Sequence, residues 1–323
     1  MEVYPFYYYL FIIEKKHKIM LNKTFYSNGK LLITAEYLVL DGAKSLAIPT
    51  KFDQNLIVEK IDQPKIIWQS FDINNNIWFD CVFDLPNLDV VDSNHDKLIS
   101  TTLQKILLKA KEINPKFLSN KTGFLIKTNL SFPRNWGLGT SSTLINNISK
   151  WAKINAFELL NNSFGGSGYD IACAQNKNPI TYQLIDAKPK ITPVVFNPIF
   201  KNHLYFVYLN KKQSSKEAIH NYNKNKNLVF ALAEEISQIT NAIIHTKSLT
   251  EFNKLLIEHE NIITSIIKQK PVQEKLFSDY FGQTKSLGAW GGDFILATGN
   301  KNSPKYFKNK GFETIIPYQD MIL

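Results

Sequence analysis

The chain has 323 residues, a formal net charge of +10 and an apolar fraction of 44%. This length predicts one large or two medium domains, and the apolar fraction excludes disordered and collagen-like proteins. Only two cysteines are present, which excludes a disulfide framework and favours a reducing, cytoplasmic location. All basic residues but one are lysines spread along the whole chain, which argues against a nucleic-acid partner.

The first twenty residues differ from the rest of the chain. An apolar, aromatic run over residues 4–13 is followed by charged residues. The run is shorter than the roughly 20 residues needed to span a membrane, and no cleavage site typical of a signal peptide follows it. We therefore expect residues 1–20 to be a disordered leader and the protein to have no membrane span, with a membrane-surface anchor as the alternative.

Apolar periodicity predicts mixed strands and helices along the rest of the chain. Residues 24–48 are predicted to form two strands, or a strand and a helix, around turns at Asn28-Gly29 and Asp41-Gly42. Further strands are predicted at 54–61, 66–68, 77–83, 124–128, 204–209, 294–297 and 314–316. Helices are predicted at 97–110, 144–154, 156–160, 228–243 and 252–267, the third of them capped by Asn155. This pattern favours an α+β protein built in two layers.

A glycine-rich segment precedes the helix predicted at 144–154. It contains G-L-G-T-S-S at residues 137–142. Glycines allow close backbone approach to a ligand, and the free N–H groups of a helix N-terminus bind phosphate. A Ser or Thr hydroxyl at this place can also ligate Mg²⁺. The segment therefore indicates a phosphate site, and a glycine turn with a helix cap is the alternative.

Two further glycine-rich segments are candidates for the same site. G-G-S-G-Y-D, at residues 165–170, places Asp170 at the start of a predicted helix. A carboxylate there can accept a hydroxyl proton, or it can simply cap the helix. K-S-L-G-A-W-G-G-D, at residues 285–293, precedes a predicted strand and can close over a ligand or form a hairpin turn.

Together with S-N-G-K-L-L-I-T-A-E-Y at residues 27–37, these segments resemble the GHMP kinases in order and spacing. The resemblance covers residues 24–298. The runs A-E-Y-L-V-L-D-G, G-Y-D-I-A and G-A-W-G-G-D resemble the mevalonate and phosphomevalonate kinase branch in particular. The resemblance implies a two-domain α+β fold, in which an N-terminal domain similar to one in a small-subunit ribosomal protein packs on a ferredoxin-like C-terminal domain. We accordingly expect an ATP-binding domain at residues 21–190 and a C-terminal domain at 191–323.

The resemblance also implies a function, an ATP- and Mg²⁺-dependent kinase. Its acceptor would be a small anionic alcohol or phosphate of the mevalonate pathway, which makes isoprenoid precursors. Asp170 would take or orient the acceptor proton, and Lys30 would lie beside it and the γ-phosphate. The implied phosphate-binding residues are Gly137, Leu138, Gly139, Thr140, Ser141 and Ser142, with Ser141 also a Mg²⁺ ligand. The implied acceptor-binding residues are Glu36, Tyr37, Ser167, Gly168, Gly288, Ala289, Gly291 and Gly292.

Four features depart from the family pattern. Asn28 replaces a proline, and Ala35 and Trp290 replace glycines; the tryptophan is expected to narrow the acceptor side. The segment after the first glycine loop is also short. In the family this segment is longer and supplies a Mg²⁺-binding glutamate. Glu158 is the only acidic residue in it here, so we expect Glu158 to be the second metal ligand, with Mg²⁺ bound without it as the alternative.

Arg134 is the only arginine in the chain and lies just before the first glycine loop. A guanidinium binds carboxylates and phosphates through a planar fork that lysine cannot reproduce. We therefore expect Arg134 to contact the acceptor, with chance placement as the alternative. The sequence leaves open a homoserine or sugar kinase, a diphosphomevalonate decarboxylase and a non-catalytic nucleotide-binding relative. It also leaves open a homodimer.

Overall fold

The computed structural model describes residues 22–93, 97–119, 122–211, 220, 222–224, 229–288, 290 and 292–323. The predicted leader, residues 1–20, lies outside the described residues. Within them the chain forms an eight-stranded and a four-stranded β-sheet, both accompanied by helices. In this part of the chain no helix is both long enough and apolar enough to cross a membrane.

The first sheet uses the N-terminal part of the chain. Its strands are β1 (Lys23–Leu32), β2 (Ser45–Ile61), β3 (Lys65–Phe71), β4 (Ile77–Asp84), β5 (Val90–Asp92), β6 (Gly123–Leu130), β7 (Ile180–Ile185) and β8 (Lys188–Pro193). Their order is β5-β4-β3-β6-β2-β7-β8, and β1 pairs with β2. Only β3 and β6 are parallel among these pairs. With 17 residues, β2 pairs with β7 near its start and with β6 along its second half.

Four helices accompany the first sheet: α1 (Lys97–Ile113), α2 (Thr140–Ala152), α3 (Ala156–Ser163) and α4 (Tyr169–Gln175). Buried and partly buried residues alternate along β3, as expected for a strand with one face in the core. Trp68 of β3 and Phe79 of β4 pack in one cluster with Leu107 of α1 and Ile148 of α2. Asn155 caps α3 as predicted, because its side-chain oxygen accepts two backbone N–H groups of the first turn.

The second sheet uses the C-terminal part of the chain. Its strands are β9 (Leu204–Tyr208), β10 (Thr284–Ser286), β11 (Phe294–Thr298) and β12 (Ile315–Pro317), in the antiparallel order β10-β11-β9-β12. The helices are α5 (Val229–His245), α6 (Leu249–Ile267), α7 (Val272–Leu276), α8 (Ser303–Asn309) and α9 (Tyr318–Met321). The apolar stripe of α6 is buried over the whole helix, as its sequence period predicts.

One hydrophobic cluster joins the two sheets. It contains Leu46 and Phe132 from the first part of the chain, Ile236 from α5 and Phe252 from α6. The first sheet ends with β8, which runs through residue 190 to Pro193, and the second begins with β9 at Leu204, but the two share this core. The division into domains at residues 190 and 191 therefore stays a prediction.

Most of the predicted elements are confirmed, with shifts at their ends. Residues 24–48 form β1, a 3₁₀ helix (Leu38–Asp41) and the start of β2, which combines the two alternatives. The sequence does not predict the hairpin of β7 and β8. The reason is that β8 is largely exposed and carries two prolines and two lysines, which are poor strand formers.

Candidate functional site

A cavity of about 730 Å³ brings together parts of three predicted motifs. Lys30 from β1, Asp170 from α4 and Asp293 from the segment before β11 line it. The glycine loop, defined as residues 137–142, also lines it through Gly137, Gly139, Thr140, Ser141 and Ser142. The N-terminal and C-terminal parts of the chain therefore both contribute charged side chains to one cavity.

The glycine loop depends on two residues in left-handed backbone conformations. Gly137 has a φ of +68° and Gly139, the N-cap of α2, has a φ of +92°. A Cβ atom on Gly139 would lie 2.7 Å from Oγ of Ser142 and 3.2 Å from the side chain of Lys30. Glycine is therefore required here by both the backbone conformation and the close approach of Lys30.

At the start of α2, two hydroxyl groups donate hydrogen bonds within the protein and two others line the cavity. Ser142 donates to the carbonyl of Gly139 at 2.8 Å, and Thr143 donates to a buried glutamine side chain at 2.6 Å. Thr140 and Ser141 line the cavity, and Ser141 is exposed. The first N–H groups of an α-helix have no intrahelical partner, so this end of α2 offers N–H groups and hydroxyls to an anion.

Leu138 anchors the glycine loop from the core side. Its side chain is fully buried, and its carbonyl accepts a hydrogen bond from the backbone N–H of Lys30 at 3.0 Å. Among the six predicted phosphate-binding residues, Leu138 is thus the one whose side chain faces the core. Its contribution is to hold the loop against β1.

Lys30 and Asp170 form an ion pair at the cavity, with Nζ 3.3 Å from Oδ1. Their side chains keep 13% and 32% exposure, so a ligand in the cavity can reach both. Burial by itself lowers the pKa of Lys30, but the neighbouring Tyr169 and Asp170 raise its pKa overall, and the amine stays protonated at neutral pH. The structure brings the two predicted catalytic residues together, and their roles stay a prediction.

The turn before α4 sets the position of Asp170. Gly168 is the N-cap of α4 with a φ of +87°, and a Cβ atom there would lie 3.0 Å from the ring of Phe157. The hydroxyl of Tyr182 donates to the carbonyl of Ser167. Ser167 and Gly168 do not line the cavity; they shape the turn that places Asp170 in the first turn of α4.

The segment before the glycine loop is held by the second sheet, which the sequence motifs do not indicate. The hydroxyl of Tyr208 donates to the carbonyl of Asn135 at 3.0 Å. The ring of Trp136 packs edge-on against Phe294, with 5.3 Å between ring centres. A Cβ atom on Gly137 would lie 2.5 Å from the carboxylate of Asp293. Only tertiary pairing brings these residues to the loop.

Glu36, predicted to bind the acceptor, is 1% exposed and does not line the cavity. Its Oε1 lies 2.6 Å from Nζ of Lys285, which is also fully buried. Burial raises the pKa of Glu36, and the ammonium of Lys285 opposes that rise. In the structure Glu36 joins the segment after β1 to β10, and an acceptor contact stays a prediction.

Two more titratable residues complete this buried cluster of Glu36, Lys285, His259 and Glu260. His259 Nε2 accepts the backbone N–H of Ala35 at 2.9 Å and lies 3.4 Å from Oε2 of Glu36. Burial and the nearby ammonium of Lys285 lower the pKa of His259, so the ring is neutral. Burial raises the pKa of Glu260 to about 8. The Glu260 carboxyl therefore keeps its proton at neutral pH.

The segment carrying Glu36 has an unusual backbone. Ala35 and Tyr37 have φ values of +67° and +66°, a region that residues with side chains rarely adopt. Tyr37 is 9% exposed and packs against the ring of Tyr222 at 5.9 Å. Ala35, where the family has glycine, keeps the left-handed conformation that a glycine would favour.

The last glycine segment is only partly described. Ala289 and Gly291 lie outside the described residues, and their predicted acceptor contacts stay predictions. Gly288 and Gly292 are described, and neither lines the cavity. Trp290 is 1% exposed and its ring packs in the core, and its expected effect on the acceptor side stays a prediction.

Glu158, predicted to bind Mg²⁺, lies outside the lining of the cavity. It is exposed in the first turn of α3. The described residues contain no group of three or more His, Cys, Asp or Glu side chains arranged to hold a metal. The short segment folds as α3 and directs this glutamate to solvent, so the geometry gives no support to Glu158 as a metal ligand.

Arg134 lies in a 3₁₀ helix (Arg134–Trp136) that leads into the glycine loop, and it lines the same cavity. Its guanidinium carbon lies 3.5 Å from the centre of the Trp78 ring. The sequence singles out Arg134 but gives no sign of Trp78 as its partner.

No protein-family model and no curated protein sequence matches the chain. Solved structures match its fold. A mevalonate kinase from Methanococcus jannaschii has a TM-score of 0.67 at 17% identity, over 90% of this chain and 94% of that one. A Streptococcus pneumoniae phosphomevalonate kinase in complex with phosphomevalonate and AMPPNP has a TM-score of 0.62 at 16% identity, over 89% and 95%. A Lactococcus lactis galactokinase complexed with galactose has a TM-score of 0.63 at 13% identity, over 90% and 88%.

These proteins are members of the GHMP kinase superfamily. The match extends over almost the whole length of both chains, and it includes both sheets. The α+β class and the two-part architecture expected from the sequence motifs are thereby confirmed. The chain has the fold of the GHMP kinases.

Proposed function

We propose that the chain is an ATP- and Mg²⁺-dependent kinase that transfers the γ-phosphate to a small anionic acceptor, mevalonate or phosphomevalonate. The observation that carries this proposal is the Lys30–Asp170 ion pair in the same cavity as the open N-terminus of α2. A cation, a carboxylate and a row of free N–H groups are the parts that phosphoryl transfer requires. The choice of acceptor is supported by the kinases of similar fold.

In this mechanism the chain acts by positioning and by charge. The glycine loop binds the nucleotide phosphates through the N–H groups of Thr140 and Ser141, and the positive end of α2 stabilises their charge. Lys30 places its ammonium beside the transferred phosphate. Asp170 accepts the proton of the acceptor hydroxyl as the oxygen attacks phosphorus. Because the Lys30 amine is protonated at neutral pH, its charge is available throughout.

The residues present fit a magnesium ion. Mg²⁺ takes oxygen ligands and is commonly held by one or two carboxylates together with substrate phosphates. The carboxylate of Asp170 and the exposed hydroxyl of Ser141 both line the cavity and would hold it. When bound, the ion would neutralise charge on the phosphates. Glu158 is not needed for this arrangement.

A coupled assay of ADP release tests the proposal. The purified chain is incubated with ATP, Mg²⁺ and, in turn, mevalonate, phosphomevalonate, homoserine and galactose. We expect turnover with one of the first two, and Asp170→Asn is expected to lower kcat by about 10²- to 10⁴-fold. Asp62→Asn removes a carboxylate from an exposed turn and serves as the matched control. Wild-type turnover by Asp170→Asn would remove this mechanism, and turnover only with homoserine or galactose would contradict the proposed acceptor.

A further inference from the structure

The cavity has a second, apolar end. Away from the ion pair it is lined by aromatic and aliphatic side chains, among them Trp68, Trp78, Phe79, Leu98, Ile99 and Ile106. These residues come from β3, β4 and α1. Flat, apolar walls of this kind suit a planar ring, whereas the other end suits phosphate. The two ends together match a ligand with a planar ring and a phosphate chain.

The apolar end also presents hydrogen-bond donors with no acceptor among the described residues. Ser70 Oγ accepts the indole N–H of Trp68 at 3.1 Å and shares one hydrogen bond with Thr128 Oγ1 at 2.9 Å. One hydroxyl proton of the Ser70–Thr128 pair is therefore left over, and both residues are buried and line the cavity. The buried Nε1 of Trp78 has no partner either. Donors left in an apolar pocket favour a ring that carries acceptor atoms.

Arg134 covers this end. Its guanidinium carbon lies 3.5 Å from the centre of the Trp78 ring, and both residues line the cavity. This stacking holds the planar guanidinium in place, which a lysine ammonium would not do. Arg134 also begins the 3₁₀ helix that enters the glycine loop three residues later at Gly137. The residue therefore connects the apolar end with the loop.

We propose that Arg134, held on Trp78, is a nucleoside-binding residue that contacts the purine end of the nucleotide and not the acceptor. This inference rests on the proposed function, since it assigns a place to the nucleotide of that reaction. The purine ring lies in the apolar end and uses its ring nitrogens as acceptors for the spare donors. Arg134 then contributes affinity for the nucleoside and none for the phosphate chain.

Titration calorimetry with two ligands tests this assignment. ATP carries the nucleoside, and inorganic tripolyphosphate carries the phosphates alone. Arg134→Lys keeps the charge but loses the stacking plane, so it is expected to weaken ATP binding about 5- to 10-fold and leave tripolyphosphate binding unchanged. Trp78→Leu is expected to act in the same way. Lys60→Gln, at an exposed position of β2 outside the cavity, serves as a control and is expected to leave the binding of both ligands unchanged.

Three results would overturn the inference. Equal weakening of ATP and tripolyphosphate by Arg134→Lys would place Arg134 at the phosphates. Unchanged binding of both ligands together with a raised acceptor KM would place it at the acceptor. Unchanged values for both ligands and the acceptor would leave Arg134 without a binding role. By contrast, selective loss of ATP affinity in a protein that turns over no acceptor would refute the proposed kinase and support this assignment.

Discussion

The buried cluster provides the sharpest test of how the two sheets are joined. Lys285 and Glu36 are separated by 249 positions in sequence, yet Nζ and Oε1 lie 2.6 Å apart at fully buried positions. Lys285 also donates to the carbonyl of Ser286 at 2.9 Å. Replacing Lys285 by methionine keeps a long unbranched side chain in the core but removes the ammonium. Glu36 then remains buried without its counter-charge.

The proton balance of Glu36 determines how the loss of stability in Lys285→Met depends on pH. Without the ammonium, burial keeps the carboxyl protonated in the folded state, whereas the unfolded chain releases the proton near its ordinary pKa of 4.5. When the pKa of a carboxyl is raised in the folded state, the folded protein is most stable below pH 4.5, where both states are protonated. As pH rises above 4.5 the unfolded chain releases the proton, and the free energy of unfolding falls. The ammonium opposes this rise in pKa in the wild type, so the cost of Lys285→Met is expected to be larger at pH 7 than at pH 5. At pH 7 we expect the roughly 3–5 kcal/mol typical of removing one partner of a buried ion pair.

Urea unfolding of the wild type and Lys285→Met at pH 5 and pH 7 measures this difference. Glu260 keeps its proton over this range in both proteins, because burial raises its pKa to about 8. The double variant Lys285→Met/Glu36→Gln removes the Glu36 carboxyl. Its stability difference from the wild type is therefore expected to be the same at both pH values, and most of the stability lost at pH 7 is expected to return. A destabilisation of equal size at both pH values would refute the reasoning, as would a loss below about 1 kcal/mol at pH 7.

Two further substitutions test the site directly. Gly139→Ala places a Cβ atom 2.7 Å from Oγ of Ser142 on a backbone with a φ of +92°. We therefore expect calorimetry to show ATP binding weakened at least about tenfold. Wild-type affinity would show that the loop tolerates a side chain. Glu158→Gln alters a side chain that points to solvent, so the Mg²⁺ concentration for half-maximal turnover is expected to stay within about twofold of the wild type. A marked rise in that concentration would restore Glu158 as a metal ligand.

The sequence predicts the chemistry of the site better than its shape. Gly139 and Asp170 are recognisable because their motifs are local: a glycine before a helix and an aspartate in a first turn depend on neighbouring residues. The approach of Lys30 to both could be inferred only from the family resemblance. The burial of Glu36 could not be predicted, because it depends on Lys285 from the far end of the chain. The same limit applies to Trp78, which is only one of several apolar residues in a strand until tertiary pairing places it beneath Arg134.

Three contacts made by residues of the second sheet explain how the glycine loop keeps its form. At the loop, Tyr208 binds the carbonyl of Asn135, and Trp136 packs against Phe294. Lys30 lies in β1, and the Glu36–Lys285 pair joins the segment that follows this strand to β10. When a loop is already ordered before the ligand binds, less binding free energy is lost in ordering it. Its backbone dipoles are then also fixed in position to stabilise the charge that develops in the transition state. Because all three contacts involve the second sheet, phosphate binding at the glycine loop is expected to depend on the packing between the two sheets.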